Sequence, residues 1–314
     1  MHDHLPPGRA LELPPDFIFS QSALQTYEDC PRRFWLTYVE RLPWPAVQAA
    51  PIQEHETLLR LGDAFHRLVQ RAEIGLDLDL LATDLPDPLD LWFEGYRRYR
   101  PADLPARNAF GESPRSETAV FEIEYNLTVP IDVPLPGRAT TSVRLTALYD
   151  LLYVEPGARA VILDWKTTRR RPDNAVMARR LQSLVYPFVL VEAAHHLPWG
   201  PLDPRQVEMR YWYTAAPDQP IVLDYDRARH EAGGGRLRRL LAEILTRNGA
   251  DGFPKIEDSE TNRQRQCRFC TYRTRCDRGV APGPLDALTD TGEWDNDSLA
   301  DLTIEMDEIA ELAF

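Results

Sequence analysis

Apolar residues recur at helical spacing early in the chain and at spacing two in its middle. Between residues 56 and 74, Leu58, Leu61, Phe65, Leu68, Val69 and Ala72 fall near one face, which predicts an amphipathic helix. Residues 88–99 predict another. Upstream, Ser22 with Gln25 three positions later is a capping-box pattern for a short helix. Pro31, directly after Cys30, suits the first position of a second helix that reaches about Arg41. From residue 118 the period becomes two. Residues 118–129, 142–154 and 158–165 predict successive strands, with turns at 134–137 and 156–157. Residues 173–195 then predict a helix kinked at Pro187. Strands at 207–214 and 221–224 follow, and a helix at 225–247 with Gly233 to Gly235 as a potential break. Helices, a mainly antiparallel meander, a helix and further strands predict an α/β core with N-terminal helical decoration.

The 314 residues are long enough for a sizeable core, and 43% hydrophobic with 27% charged residues is the range of a folded soluble protein. No apolar run approaches the roughly 18–20 residues of a membrane span. The first 17 residues are Pro-rich and lack the basic and apolar regions of a secretory signal, so the expected location is the cytoplasm. Four cysteines in a chain of this length do not make a disulfide scaffold.

Net charge is −13, which on its face argues against a nucleic-acid partner. Its distribution changes that picture. Residues 281–314 hold ten acids and no Lys or Arg, and the remainder is nearly balanced at 39 acids against 36 bases. That segment reads as an acidic tail, with a helix expected at about 298–312. Only two of the 36 bases are lysines, Lys166 and Lys255. Where arginine is the default cation, a lysine points to a need for its compact ammonium.

Lys166 lies in candidate chemistry. Asp150 lies at or near the end of one apolar strand, and Asp164 and Lys166 share a face of the next. Two converging carboxylates repel unless a cation sits between them, and Mg²⁺ or Mn²⁺ suits oxygen ligands plus water. Such an ion would lower the pKa of a bound water and neutralise phosphate charge, with Lys166 stabilising charge that develops there. A strand-end aspartate pair with a salt-bridged lysine fits the same spacing. His66 sits beside the apolar stripe of the 56–74 helix, and Gln182 and Tyr186 share a face of the helix after Lys166.

A second constellation is Cys267-x2-Cys270-x5-Cys276, with Cys30 far upstream as the one remaining thiol. Four thiolates suit zinc or a [4Fe-4S] cluster equally. Arg263, Arg265, Arg268, Arg273, Arg275 and Arg278 surround the cluster. Arg169, Arg170, Arg171, Arg179 and Arg180 follow the Lys166 strand. With Trp165, Phe269 and Tyr272 among them, they suit a single-stranded phosphate backbone and stacked bases, or simply a solvated arginine-rich surface.

Six segments in this order resemble the RecB-like branch of the PD-(D/E)XK nuclease superfamily, in particular its iron–sulfur members, the AddB-type nuclease domains and CRISPR-adaptation exonucleases. They are the 22–35 stretch ending Cys30-Pro-Arg-Arg-Phe-Trp35, Gly62-Asp-Ala-Phe-His66, Asp150, Ile162-Leu-Asp164-Trp-Lys166, Gln182-Ser-Leu-Val-Tyr186 and the cysteine triplet. The resemblance implies a restriction-endonuclease-like core, a mixed central sheet flanked by helices. It divides the chain into an arm (1–17), a nuclease domain (18–280) closed by the cysteine cluster, and the acidic tail (281–314). It implies that His66, Asp150 and Asp164, with the backbone carbonyl of Trp165, hold Mg²⁺ or Mn²⁺, that Lys166 is catalytic, and that Gln182 and Tyr186 touch DNA beside Arg169 and Arg170. Cys30, Cys267, Cys270 and Cys276 would hold a [4Fe-4S] staple rather than zinc. Glu122 and Glu124, on the earlier strand, are candidates to assist the site, with neither assigned to it. The implied substrate is DNA, single-stranded or with free ends, and the implied partner a helicase or a CRISPR-adaptation protein. The sequence departs from the pattern at Ala147, where the family often has glycine, and at Pro187.

Overall fold

The computed structural model describes residues 13–14, 16–42, 50–105, 119–268 and 270–279, with side chains omitted at 50–56. Most of the expected arm, the whole acidic tail with its 298–312 helix, and Phe269 lie outside the described residues.

Strand β1 (Ile18–Phe19) leads into helix α1 (Gln21–Asp29). Its cap is Ser20, whose Oγ accepts the Ala23 N–H at 3.1 Å, so Ser22 lies inside the helix and the expected capping box is displaced. Cys30 then breaks the helix with extended backbone, and α2 (Pro31–Phe34) runs on into a π-turn at Trp35–Val39. Helices α3 (Ala50–Glu73), α4 (Leu78–Leu81) and α5 (Leu89–Tyr99) complete the N-terminal helices.

The middle of the chain forms three long strands, β2 (Val120–Val133), β3 (Thr141–Glu155) and β4 (Arg159–Lys166), paired antiparallel in succession. The expected single helix after them is two, α6 (Asn174–Met177) and α7 (Gln182–Ala194), and α7 continues through Pro187. Strand β5 (Val207–Tyr213) returns parallel to β4, and β6 (Ile221–Asp224) pairs antiparallel with β5. The α7 crossover is what allows the parallel step. Helix α8 (Arg227–Thr246) is unbroken at its glycines. A Cβ on Gly234 would stand 2.9 Å from the Phe188 ring, so those glycines let α7 and α8 approach. Short helices α9 (Gly249–Gly252) and α10 (Glu260–Asn262) lead to the cysteine turns.

The six strands make one mixed sheet with helices on both faces, a restriction-endonuclease-like architecture. One face packs against α1, α2, α7 and α8 through Leu24, Phe34, Val185, Phe188 and Leu237. The other packs against α3 and α5 through Phe65, Val69, Phe93 and Trp212. Covering on both faces explains why β4 is buried from Ala160 to Lys166. Among the described residues, no helix is long and apolar enough to cross a membrane.

Candidate active site

Sheet register assembles the site. Ile123 pairs with Leu151, and Leu151 with Leu163. The next row across the sheet is therefore Glu124, Asp150 and Asp164, with Tyr211 opposite Asp164 on β5. At this row the strands part. The Trp165 backbone N–H donates to Asp150 Oδ2 at 2.8 Å, a side-chain bond in place of a ladder bond.

The same row reverses the faces of the β2–β3 ribbon. Ile123 and Leu151 pack in the α3–α5 layer, whereas Tyr125 and Tyr149 pack in the α7–α8 layer. In a regular strand, residues two apart share a face. Glu124 makes the switch with a left-handed backbone, φ +51°.

His66 comes to the row from α3, its Nδ1 3.6 Å from Asp150 Oδ2. His66, Glu124 and Asp150 each offer a ligand atom, all within 4.8 Å of one another. Burial pushes the Glu124 carboxyl up to about 8, reinforced by the charges of Asp150, Asp164 and Asp63. Crowded oxygens and an imidazole nitrogen are a donor set that fits a divalent cation such as Mg²⁺ or Mn²⁺.

Asp164 and Lys166 occupy the neighbouring position on the α7 side. They are 3% and 1% exposed, and Lys166 Nζ lies 2.8 Å from Asp164 Oδ2. A buried ion pair needs its remaining valences met. Gln182, at the first turn of α7, supplies one by donating Nε2–H to Asp164 Oδ1 at 2.7 Å. Its own Oε1 is buried with no hydrogen-bond partner among the described residues, an acceptor suited to a further group. Tyr186, one turn on, packs its ring 5.3 Å from that of Tyr149, whose hydroxyl donates to the Tyr186 carbonyl. Both residues expected to touch DNA are thus buried, and Gln182 reaches Asp164 first. Arg169 and Arg170 lie exposed immediately past β4, while Arg171 is tied to the Gln219 carbonyl and to Asn174.

Cys30, Cys267, Cys270 and Cys276 line one pocket and are free thiols. Burial and the other three cysteines push the Cys267 thiol up to about 11, and Cys270 and Cys276 are also raised by burial. Four thiols crowded in this way fit a cationic metal group that stabilises them as thiolates. The arginines around them are not uniformly free for a nucleic acid. Arg273 is 4% exposed, and Arg263 and Arg278 pair with Asp258.

Sequence reasoning offered Glu122 and Glu124 together as candidates to assist and did not choose between them, because they look alike on the polar side of an alternating strand. Only the backbone reversal tells them apart.

Among curated proteins, none matches the chain. Among solved structures it is similar to SSO0001, with a TM-score of 0.41 and 11% identity over 86% of this chain and 90% of that one. It is also similar to a Eubacterium rectale protein named "Putative exonuclease", with a TM-score of 0.39 and 9% identity over 88% of this chain and 94% of that one. Overlaps this loose leave the assignment to the family model. The model of the PD-(D/E)XK nuclease superfamily matches residues 18–277, from β1 past the last cysteine. The row of acids beside Lys166 falls within that span, and the chain belongs to the PD-(D/E)XK nuclease superfamily.

Proposed function

We propose that this nuclease is a Mg²⁺- or Mn²⁺-dependent deoxyribonuclease that degrades single-stranded or end-bearing DNA as an exonuclease. The observation that carries the reading is the row of acids at the parting of β2, β3 and β4, with His66 on one side and the buried Asp164–Lys166 pair on the other.

His66, Asp150 and Asp164 would hold the cation, with the Trp165 backbone carbonyl assisting. The bound ion supplies a lowered pKa for its water and neutralises charge on the scissile phosphate. Trp165 N–H fixes one oxygen of Asp150, and Gln182 fixes one oxygen of Asp164, so neither carboxylate must reorganise during the reaction. Lys166 places a positive charge where the phosphorane develops negative charge, in a site dry enough to strengthen the attraction. Arg169 and Arg170 would hold the DNA backbone at the rim.

The cysteine pocket is read as the seat of a [4Fe-4S] cluster rather than zinc. It would tie the start of the matched region to its end. A helicase or a CRISPR-adaptation protein is the proposed class of partner, in the cytoplasm.

The test is digestion of end-labelled linear and circular single-stranded DNA by anaerobically purified protein, with Mn²⁺ or with EDTA. Metal-dependent loss of the linear DNA with survival of the circle is expected. Cutting of the circle would replace the exonuclease with an endonuclease. Binding without cleavage in Mn²⁺ would make the chain a catalytically silent DNA-binding subunit.

A further inference from the structure

We propose that Glu124 is a further metal ligand of the active site, placed there by the left-handed backbone that turns over the β2–β3 ribbon. The proposal rests on the nuclease reading above and adds one residue to it.

Glu124 is not in a hairpin or a loop. Its neighbours pair in unbroken register, Ile123 with Leu151 and Tyr125 with Tyr149, so no residue is gained or lost there. A β-bulge would insert a residue, and this row inserts none. A left-handed φ of +51° in mid-strand is unfavourable for any residue with a Cβ. Glycine would make the same turn without strain. The chain keeps a glutamate, and that glutamate has a carboxylate oxygen within 4.8 Å of ligand atoms on His66 and Asp150.

The neighbouring acid is held in place by its own partners. Asp164 gives one oxygen to Lys166 and the other to Gln182, and the three-residue group that forms is His66, Glu124 and Asp150. Added to the proposed ligand Asp164 of β4, this group would give one nitrogen and three carboxylates from four elements (α3, β2, β3 and β4). Glu122, two residues earlier in the same strand, is not in this group. The strain at Glu124 is thus retained where it delivers a ligand.

The test needs no DNA. Mn²⁺ affinity is measured by titration calorimetry on wild type, Glu124→Gln, Glu124→Gly and His66→Ala, and each metal-free protein is melted in parallel. Glu124→Gln and Glu124→Gly are expected to weaken Mn²⁺ at least about tenfold. The metal-free melting temperature of Glu124→Gly should equal or exceed that of wild type, because glycine relieves the left-handed strain. Two results would overturn the assignment. One is Mn²⁺ affinity within twofold of wild type in Glu124→Gln while His66→Ala loses it. The other is a Glu124→Gly protein that melts lower yet binds Mn²⁺ normally, which would make the side chain structural. Wild type that takes up no Mn²⁺ would instead overturn the nuclease reading, and this proposal with it.

Discussion

In the acid row every side chain is aimed by the register of long strands. In the cysteine pocket, the thiols sit at the ends of short turns: Cys30 at the start of α2, Cys267 closing a π-turn at Arg263–Cys267, and Cys276 closing a 3₁₀ turn at Arg273–Cys276. The row draws on a core covered on both faces, so it is held whether or not an ion is bound. The pocket is held by scattered bonds, such as Arg32 N–H to the Pro254 carbonyl and Lys255 Nζ to the Cys276 carbonyl. The difference teaches that the two constellations should fail differently. Damage to the row should act first on chemistry, and damage to the pocket first on stability.

The largest separation is expected from Asp164→Asn. It keeps the shape and the bond to Gln182 but removes the charge facing Lys166, and turnover should fall by at least about 10²–10³-fold. The melting temperature, read by circular dichroism, should also fall, because Lys166 is left buried without its counter-charge, while the protein still melts cooperatively. Next is Cys276→Ser. A bound metal group contributes folding free energy directly, so its loss should lower the melting temperature on the order of 10 °C. Iron and acid-labile sulfide should be lost together, whereas stoichiometric zinc in the wild type would replace the cluster.

A third contrast uses pH. In the folded, metal-free chain the Glu124 carboxyl is pushed up to about 8 by burial and by Asp150, Asp164 and Asp63, against 4.5 when unperturbed. The folded state therefore holds a proton that the unfolded chain has released, and stability drops as pH rises from about 4.5 through about 8. Melting without metal between pH 5 and 8.5 should show this fall in wild type and a flatter profile in Glu124→Gln. The smallest effect is expected from Arg169→Ala with Arg170→Ala. Removing these exposed charges should lower DNA affinity and reduce the slope of log K against log[salt] by about 0.7 per lost single-strand phosphate contact.

Much of this was legible in the sequence, for reasons that can be named. The strand at 221–224 and the three long strands emerge within a few residues of the sequence pattern, β2 from its alternation and β4 from its continuous apolar run. In β3 the pattern changes at the site. Leu145, Ala147 and Tyr149 alternate, and Leu151 to Val154 are continuous, which marks where both faces become covered. The aspartates and Lys166 were legible because they interrupt those runs. Glu124 was not. Apolar residues continue at 121, 123, 125, 127 and 129 straight through the face reversal, since both layers are apolar, and a φ angle leaves no trace in an alternating sequence. The α1 cap was misread because Ser20 and Ser22 offer the same hydroxyl, and only backbone geometry chooses Ser20. The bond of Gln182 to Asp164 was not legible for a similar reason. Helical spacing gives its face, and the approach of α7 to β4 gives its partner.

The account stands most directly on Lys166 as the charge that faces the reacting phosphate. Wild type and Lys166→Gln would be compared for Mn²⁺-dependent cleavage and for binding of the same linear single-stranded DNA, after confirming that both melt cooperatively. The expected result is cleavage by wild type alone, with DNA bound by both. Cleavage by Lys166→Gln at the wild-type rate would contradict it and reduce the buried Asp164–Lys166 pair to a structural salt bridge.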